Sequence, residues 1–134
     1  MGLREIPEES VIEFPDGVPG LGELRRFVLL RPDDLGPIVV LQSVEDERVS
    51  LPLVPAEAVH PGYELHLEEE ARQALHVEAT DDLAALAVVV LAGEGGVAAC
   101  NLYAPIVVNF RSRIGRQVLQ GESEYPMVFP LTGE

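Results

Sequence analysis

The apolar residues of this chain come in short, β-branched runs cut off by glycine, proline and aspartate. That rhythm narrows the possible folds more than any other feature, because it is the pattern of strands joined by tight turns. Val11 to Phe14 is the first clear strand, with Leu3 to Ile6 a weaker one before it, and PDGVPG at 15–20 stops it with a pile of turn formers. Arg26 to Leu30 and Pro37 to Val44 follow. Val49, Leu51 and Leu53 then alternate with polar or proline positions, which predicts one buried face. Pro52 cannot donate to a ladder, so this strand should run at an edge or carry a bulge there. Tyr63 to Leu67 alternates as well and reads as a further strand.

One helix is predicted. Glu68 to Leu75 (EEEARQAL) is rich in helix formers, begins acidic as the helix dipole prefers, and offers a Glu68/Arg72 pair at i,i+4. Thr80-Asp81-Asp82 could cap a brief turn. Leu86 to Leu91 and Pro105 to Val108 are continuously apolar, which predicts burial on both faces. Gly93 to Gly96 and Ser112 to Gly115 should be hairpin turns. Eight to ten short strands with one short helix make an all-β domain, either a barrel or a two-sheet sandwich. At 134 residues with no low-complexity linker and no internal repeat, residues 1–134 read as a single domain.

Charge decides what such a domain can meet. Asp and Glu number 23 against nine arginines and no lysine, for a net −14, yet 47% of residues are hydrophobic. The apolar content excludes a disordered acidic tail. The sign of the charge excludes direct nucleic-acid binding, whose affinity comes from neutralising phosphates. Residues 1–70 hold 16 acids and five arginines, and the rest hold seven and four, so an acidic face is predicted. Cys100 is the only cysteine, MGLREIPEES lacks the apolar core of a signal peptide, and the longest apolar run, Leu83 to Ala92, is half of a membrane span. A cytoplasmic protein without membrane contact is expected.

Residues able to carry chemistry are few and scattered. His60, His66 and His76 lack the spacing of metal ligands and have no cysteine partner, so solvated histidines are the default. Cys100 has no base nearby in sequence and reads as a buried structural thiol. Ser43 and Ser50 lack a nucleophile-elbow context. Gly17, Gly20 and Gly22 have the wrong spacing for a phosphate loop. Arg111, Arg113 and Arg116 could contact phosphate or an acidic residue of a partner, but a charged hairpin tip that discourages edge pairing is more economical. Gln42, Asn101 and Gln117 are polar residues inside strand patterns and need partners. They either brace the barrel or present hydrogen bonds to a bound protein.

The late segment is the most distinctive. Cys100-Asn101-Leu102-Tyr103-Ala104-Pro105-Ile106-Val107-Val108-Asn109, followed by Arg113-Ile114-Gly115-Arg116-Gln117-Val118-Leu119, resembles the signature of the FliW family of flagellar assembly factors. Ile12-x-Phe14 with Gly17-Val18-Pro19-Gly20, then Leu41-Gln42-Ser43, Pro55, Tyr63 and Tyr125, look like that family's landmarks in the same order, over about residues 2–131. Leu21 departs from the family's usual Phe, and Tyr125-Pro126-Met127 lacks the Arg that often follows the Tyr.

The resemblance implies a small, closed or nearly closed antiparallel β-barrel with no catalytic residue, cofactor or metal. It implies two protein partners, flagellin and the translational regulator CsrA, with FliW antagonising CsrA until flagellin titrates it away. Glu45, Asp46, Glu47, Glu68, Glu69 and Glu70 are then the candidate face for a basic regulator. An apolar groove for flagellin's amphipathic ends is expected beside Asn101, Leu102, Ala104, Pro105, Ile106 and Val107. The rival from another class is a small β-barrel enzyme or ligand-binding domain with a histidine beside a carboxylate in a compact apolar pocket.

Overall fold

The computed structural model describes residues 7–79, 81–92 and 97–131. The strands are β1 (Ile12–Glu13), β2 (Arg26–Leu30), β3 (Val39–Ser43), β4 (Ser50–Pro55), β5 (Leu83–Ala92), β6 (Val97–Asn109), β7 (Ile114–Gln117) and β8 (Phe129–Pro130). They run in the order β5-β4-β3-β2-β1-β7-β6-β8, and β6 also pairs with β5, so β1 to β7 close into a seven-stranded barrel. Strand β8 lies outside the ring, on the first half of β6 through Ala99↔Pro130 and Cys100↔Phe129. The all-β barrel expected from the sequence is what forms, with one departure: β1 and β7 pair in parallel, Glu13 opposite Ile114.

Alternation builds the interior. Val39, Leu41 and Ser43 of β3 point inward and are buried, while Val40 and Gln42 are only partly so. Phe14, Phe27, Leu41, Leu53, Leu86, Ile106 and Val108 fill the barrel, with Phe14 and Phe27 edge to face at 5.4 Å. Burial of each such side chain contributes about 1.5–3 kcal/mol. Gly115 leaves room for this packing, since a Cβ there would lie 2.4 Å from Phe14 Cζ.

The outer faces of β4 to β6 are covered too. A second cluster joins Val54, Ala56, Tyr63, Ala87, Cys100 and Leu102, and a third sets Ala71 and Leu75 on Val107 and Val118. Ile106, Val107 and Val108 are therefore all fully buried, as their continuous apolar run predicts. The Leu86 to Leu91 run behaves differently: Leu86 and Ala87 are buried on opposite faces, but β5 then emerges and Val90 is exposed.

Two α-helices occur among the described residues where the sequence suggests one. Helix α2 (Glu69–Ala74) lies inside the predicted Glu68 to Leu75. It ends with His76 in the left-handed region (φ 56°), His76 N–H donating to the Gln73 carbonyl and Val77 N–H to that of Arg72. That pair of bonds closes a helix C-terminus. Helix α1 (Ala56–Val59) is a single turn, too short to show a period in sequence.

Tyr63 to Leu67 is not a strand. Glu64 N–H donates to the Tyr125 hydroxyl at 2.8 Å and His66 N–H to Gln120 Oε1 at 2.9 Å, so side chains stand in for ladder partners there. Pro52 faces Val40 of β3 and precedes the β4–β5 pairing, which starts at Leu53, so its missing N–H costs nothing there. Phe110 to Arg113 form the β6–β7 turn. The Leu3 to Ile6 strand, Thr80 and the Gly93 to Gly96 turn lie outside the described residues. Among the described residues, no helix is long and apolar enough to cross a membrane.

Candidate protein-interaction site

The strand from Asn101 to Val107 turns out to be a bulge that needs bracing. On β6, Asn101 faces Val88 and Ile106 faces Leu86, so four residues of β6 stand against one of β5. A buried backbone must still satisfy its donors and acceptors. Asn101 Oδ1 accepts the N–H of Tyr103 at 2.9 Å and of Ala104 at 3.0 Å. Leu102 N–H donates to the Pro126 carbonyl, and the Tyr63 hydroxyl donates to the Leu102 carbonyl at 2.8 Å. Gln120 N–H, Gln117 Nε2 and Val118 N–H serve the carbonyls of Tyr103, Ala104 and Pro105. Pro105 brings no N–H to satisfy. Gln42 Nε2 likewise donates to main-chain carbonyls of Ser43, Glu47 and Val49. All three polar strand residues are thus braces of the barrel. Leu102, Ile106 and Val107 are fully buried and Ala104 and Pro105 nearly so, so these five side chains offer a partner little surface.

The acidic residues form two separately organised groups. Glu45 Oε1 accepts the backbone N–H of Arg25 at 2.7 Å and of Arg26 at 3.1 Å, tying the β3–β4 turn to the start of β2. Asp46 holds Arg48 in a fork of two 3.0 Å bonds, and those bonds draw its carboxyl below the usual range. Glu47 is exposed beside them. In the other group Glu68 precedes α2, Glu69 accepts from Gln73 Nε2 and Glu70 from Arg116 Nη2 at 2.9 Å. Arg72 meets Glu68 through the helix backbone, and the ion pair of this helix goes to Arg116 instead. Among the described residues, no hydrogen bond or ion pair joins the two groups.

The late arginines guard no edge, because β7 is paired on both sides. Each ties two parts of the chain together. Arg111 donates to Asp81 at 2.8 Å and to the His76 carbonyl, and lies 3.6 Å from Glu78. Arg113 donates to the Glu8 carbonyl, and Arg116 spans Asp16 and Glu70. The Arg111 guanidinium, the Glu78 N–H and the Asn109 amide hold the Asp81 carboxyl at a pKa of about 2. With Arg25, Arg26 and Arg48 also engaged internally, most arginines are spent on intramolecular contacts.

The histidines sit apart. His76 closes α2, and its carbonyl also accepts from Asn109 Nδ2. His66 is exposed in an open cleft with Glu64, Glu68, Glu122 and Glu124, and its ring makes no hydrogen bond among the described residues. That cleft is acidic and wide, unlike the compact apolar pocket a catalytic histidine would use. His60 is packed against Tyr63, Tyr125 and Phe129 at 5.4–6.3 Å. Burial pushes the Tyr63 hydroxyl up to about 12 and raises the Cys100 thiol as well. No group of three or more His, Cys, Asp or Glu side chains is placed to hold a metal ion among the described residues.

One apolar feature escaped the sequence reading. Between α1 and β8 lies a groove of about 910 Å³ walled by Ile38, Val54, Val59, Val89, Phe129 and Leu131, with no charged side chain in its lining. Ala98, at the start of β6, is part of its floor, a few residues before Asn101. Exposed Met127 and Val128 follow the chain into β8. Five distant segments supply its walls, so no local pattern announces it.

A family model described as "FliW protein" matches residues 1–131. The flagellar assembly factor FliW of Caldicellulosiruptor saccharolyticus is 32% identical over 130 residues, covering 97% of this chain and 85% of that protein. Those of Clostridium botulinum and Bacillus subtilis are each 32% identical over 133 residues, covering 99% of this chain and 93% of theirs. A crystal structure of the flagellar assembly factor FliW superposes with a TM-score of 0.85 at 31% identity, over 95% of this chain and 89% of that one.

Proposed function

The chain belongs to the FliW family of flagellar assembly factors, and on that premise we propose that it binds flagellin in the cytoplasm as a chaperone and, when free, captures CsrA. It acts by binding, without catalysis or cofactor. Flagellin synthesis and CsrA activity are then coupled by competition for one protein.

The observation that supports this reading best is the division of charge. Internal contacts occupy most of the arginines, while Glu47, Glu64, Glu68, Glu122 and Glu124 remain exposed. An RNA-binding regulator needs a basic surface to hold phosphates. Opposite potentials steer such a pair together and reject wrong partners. The two acidic groups, Glu45 to Glu47 and Glu68 to Glu70, are the proposed contact faces for CsrA.

Co-expression of the tagged chain with flagellin, and separately with CsrA from the same organism, tests the proposal. Each partner should co-elute in a ratio that survives size-exclusion chromatography. Recovery of neither overturns the reading.

A further inference from the structure

We infer that the barrel carries a small-molecule site at the end where β2 and β4 finish and β3 and β5 begin, and that the site takes a small zwitterion with an apolar body. That is the chemistry of a free apolar amino acid or a short apolar peptide. The inference does not depend on flagellin or CsrA.

Strand register brings the site together. Leu30 pairs with Val40, Val39 with Leu53, Pro55 with Leu86, and Leu83 with Asn109, so these strand ends meet at one mouth of the barrel. There they border a pocket of about 490 Å³. Pockets that hold small ligands run from about 300 to 1,000 Å³, and barrel mouths are among their usual places. Buried Val39 and Leu86, half-buried Leu29 and the exposed ring of Phe110 make most of its lining apolar. Two charged side chains complete it, Arg31 just beyond β2 and Glu57 on α1. Both are exposed, and among the described residues neither side chain has a hydrogen bond or an ion pair, with the other or with any third group. Arg31 thus differs from the arginines that tie parts of the chain together.

Charge selects the ligand by elimination. A purely apolar molecule would strip water from Arg31 and Glu57 and give nothing back. A monoanion would satisfy Arg31 but face Glu57 and the repulsion of a protein of net charge −14. A monocation would satisfy Glu57 but face Arg31. A zwitterion answers both groups: its carboxylate suits the planar fork of the guanidinium, and its ammonium donates to the Glu57 carboxylate. Being neutral overall, it is not repelled at long range. Its apolar body covers Leu29 and Phe110 and gains the free energy of burial.

Titration of the full chain with L-phenylalanine and with L-phenylalanyl-L-leucine, followed by backbone amide NMR, tests this. At least one should bind saturably, with shifts centred on Leu83 to Leu86 and Phe110, and the tighter of the two identifies the source. The amide form of that ligand lacks the carboxylate and the N-acetyl form lacks the ammonium. Each should bind about tenfold more weakly than the parent. Arg31→Gln should bring the parent down to the affinity of its amide without changing that of the amide itself. Glu57→Gln should do the same for the N-acetyl form. Both positions are exposed, so the thermal melt should stay put. The inference is wrong if neither zwitterion gives a saturable shift at millimolar concentration, if the single-charge forms bind as well as the parent, or if neither substitution weakens it.

Discussion

Replacing Asn101 by alanine removes one oxygen that serves two amides, those of Tyr103 and Ala104 at 2.9 and 3.0 Å. No neighbouring strand can take over, since these residues belong to the bulge of β6 that β5 does not pair. Ala104 is buried, so its donor is left without water, while the half-buried Tyr103 recovers part of its hydration. A buried unsatisfied donor costs about 1–3 kcal/mol, so the two together put the loss near 2–4 kcal/mol. In urea, where the slope for a domain of this size is about 1–3 kcal/mol per molar, the midpoint should fall by about 1–2 M with the slope unchanged. Asn101→Asp keeps an acceptor in place and should lose much less. A change within about 0.5 kcal/mol for Asn101→Ala, the range of an ordinary surface substitution, would refute the bracing role. Intact stability together with lost flagellin binding would show that Asn101 faces the partner instead.

Other perturbations probe different parts of the account. Gly115→Ala places a Cβ 2.4 Å from the Phe14 ring and should cost about 1–3 kcal/mol, read from thermal melts, with Phe14→Leu restoring part of the loss in the double variant. Asp81 has its pKa lowered to about 2 by Arg111, so the stability it contributes is complete above the ordinary carboxylate value and lost as pH falls through about 2. Wild type should therefore lose its advantage over Asp81→Asn between about pH 4 and pH 2, and a constant difference across that window would contradict the pairing. Neutralising Glu68, Glu69 and Glu70 to glutamine should slow association with CsrA and flatten its salt dependence, measured by stopped flow. Unchanged rates would remove that patch from the proposed interface.

The strands were legible because their residues are β-branched and their stops are glycine, proline and aspartate; β2 matches its predicted bounds, and α2 lies within a residue of its own. Tyr63 to Leu67 misled because its alternation is real: Tyr63 is buried, with Leu65 and Leu67 half-buried. What the pattern could not show is that Tyr125 and Gln120, more than fifty residues away, would supply the hydrogen bonds of a missing strand. The parallel β1–β7 pairing is long-range in the same way. Around the site, the Asn-Leu-x-Ala-Pro run stood out in sequence as a distinctive motif, and the structure explains it as the fabric of a bulge. The groove was not legible, because each of its segments is an unremarkable apolar stretch until closure of the barrel sets them side by side.

Competition between flagellin and CsrA for this one protein is measured most directly by a displacement titration. Fluorescent CsrA bound to this chain should be released as flagellin is added, with anisotropy falling to the free value near one flagellin per chain. Anisotropy that stays at the bound value while flagellin joins the complex would contradict the account.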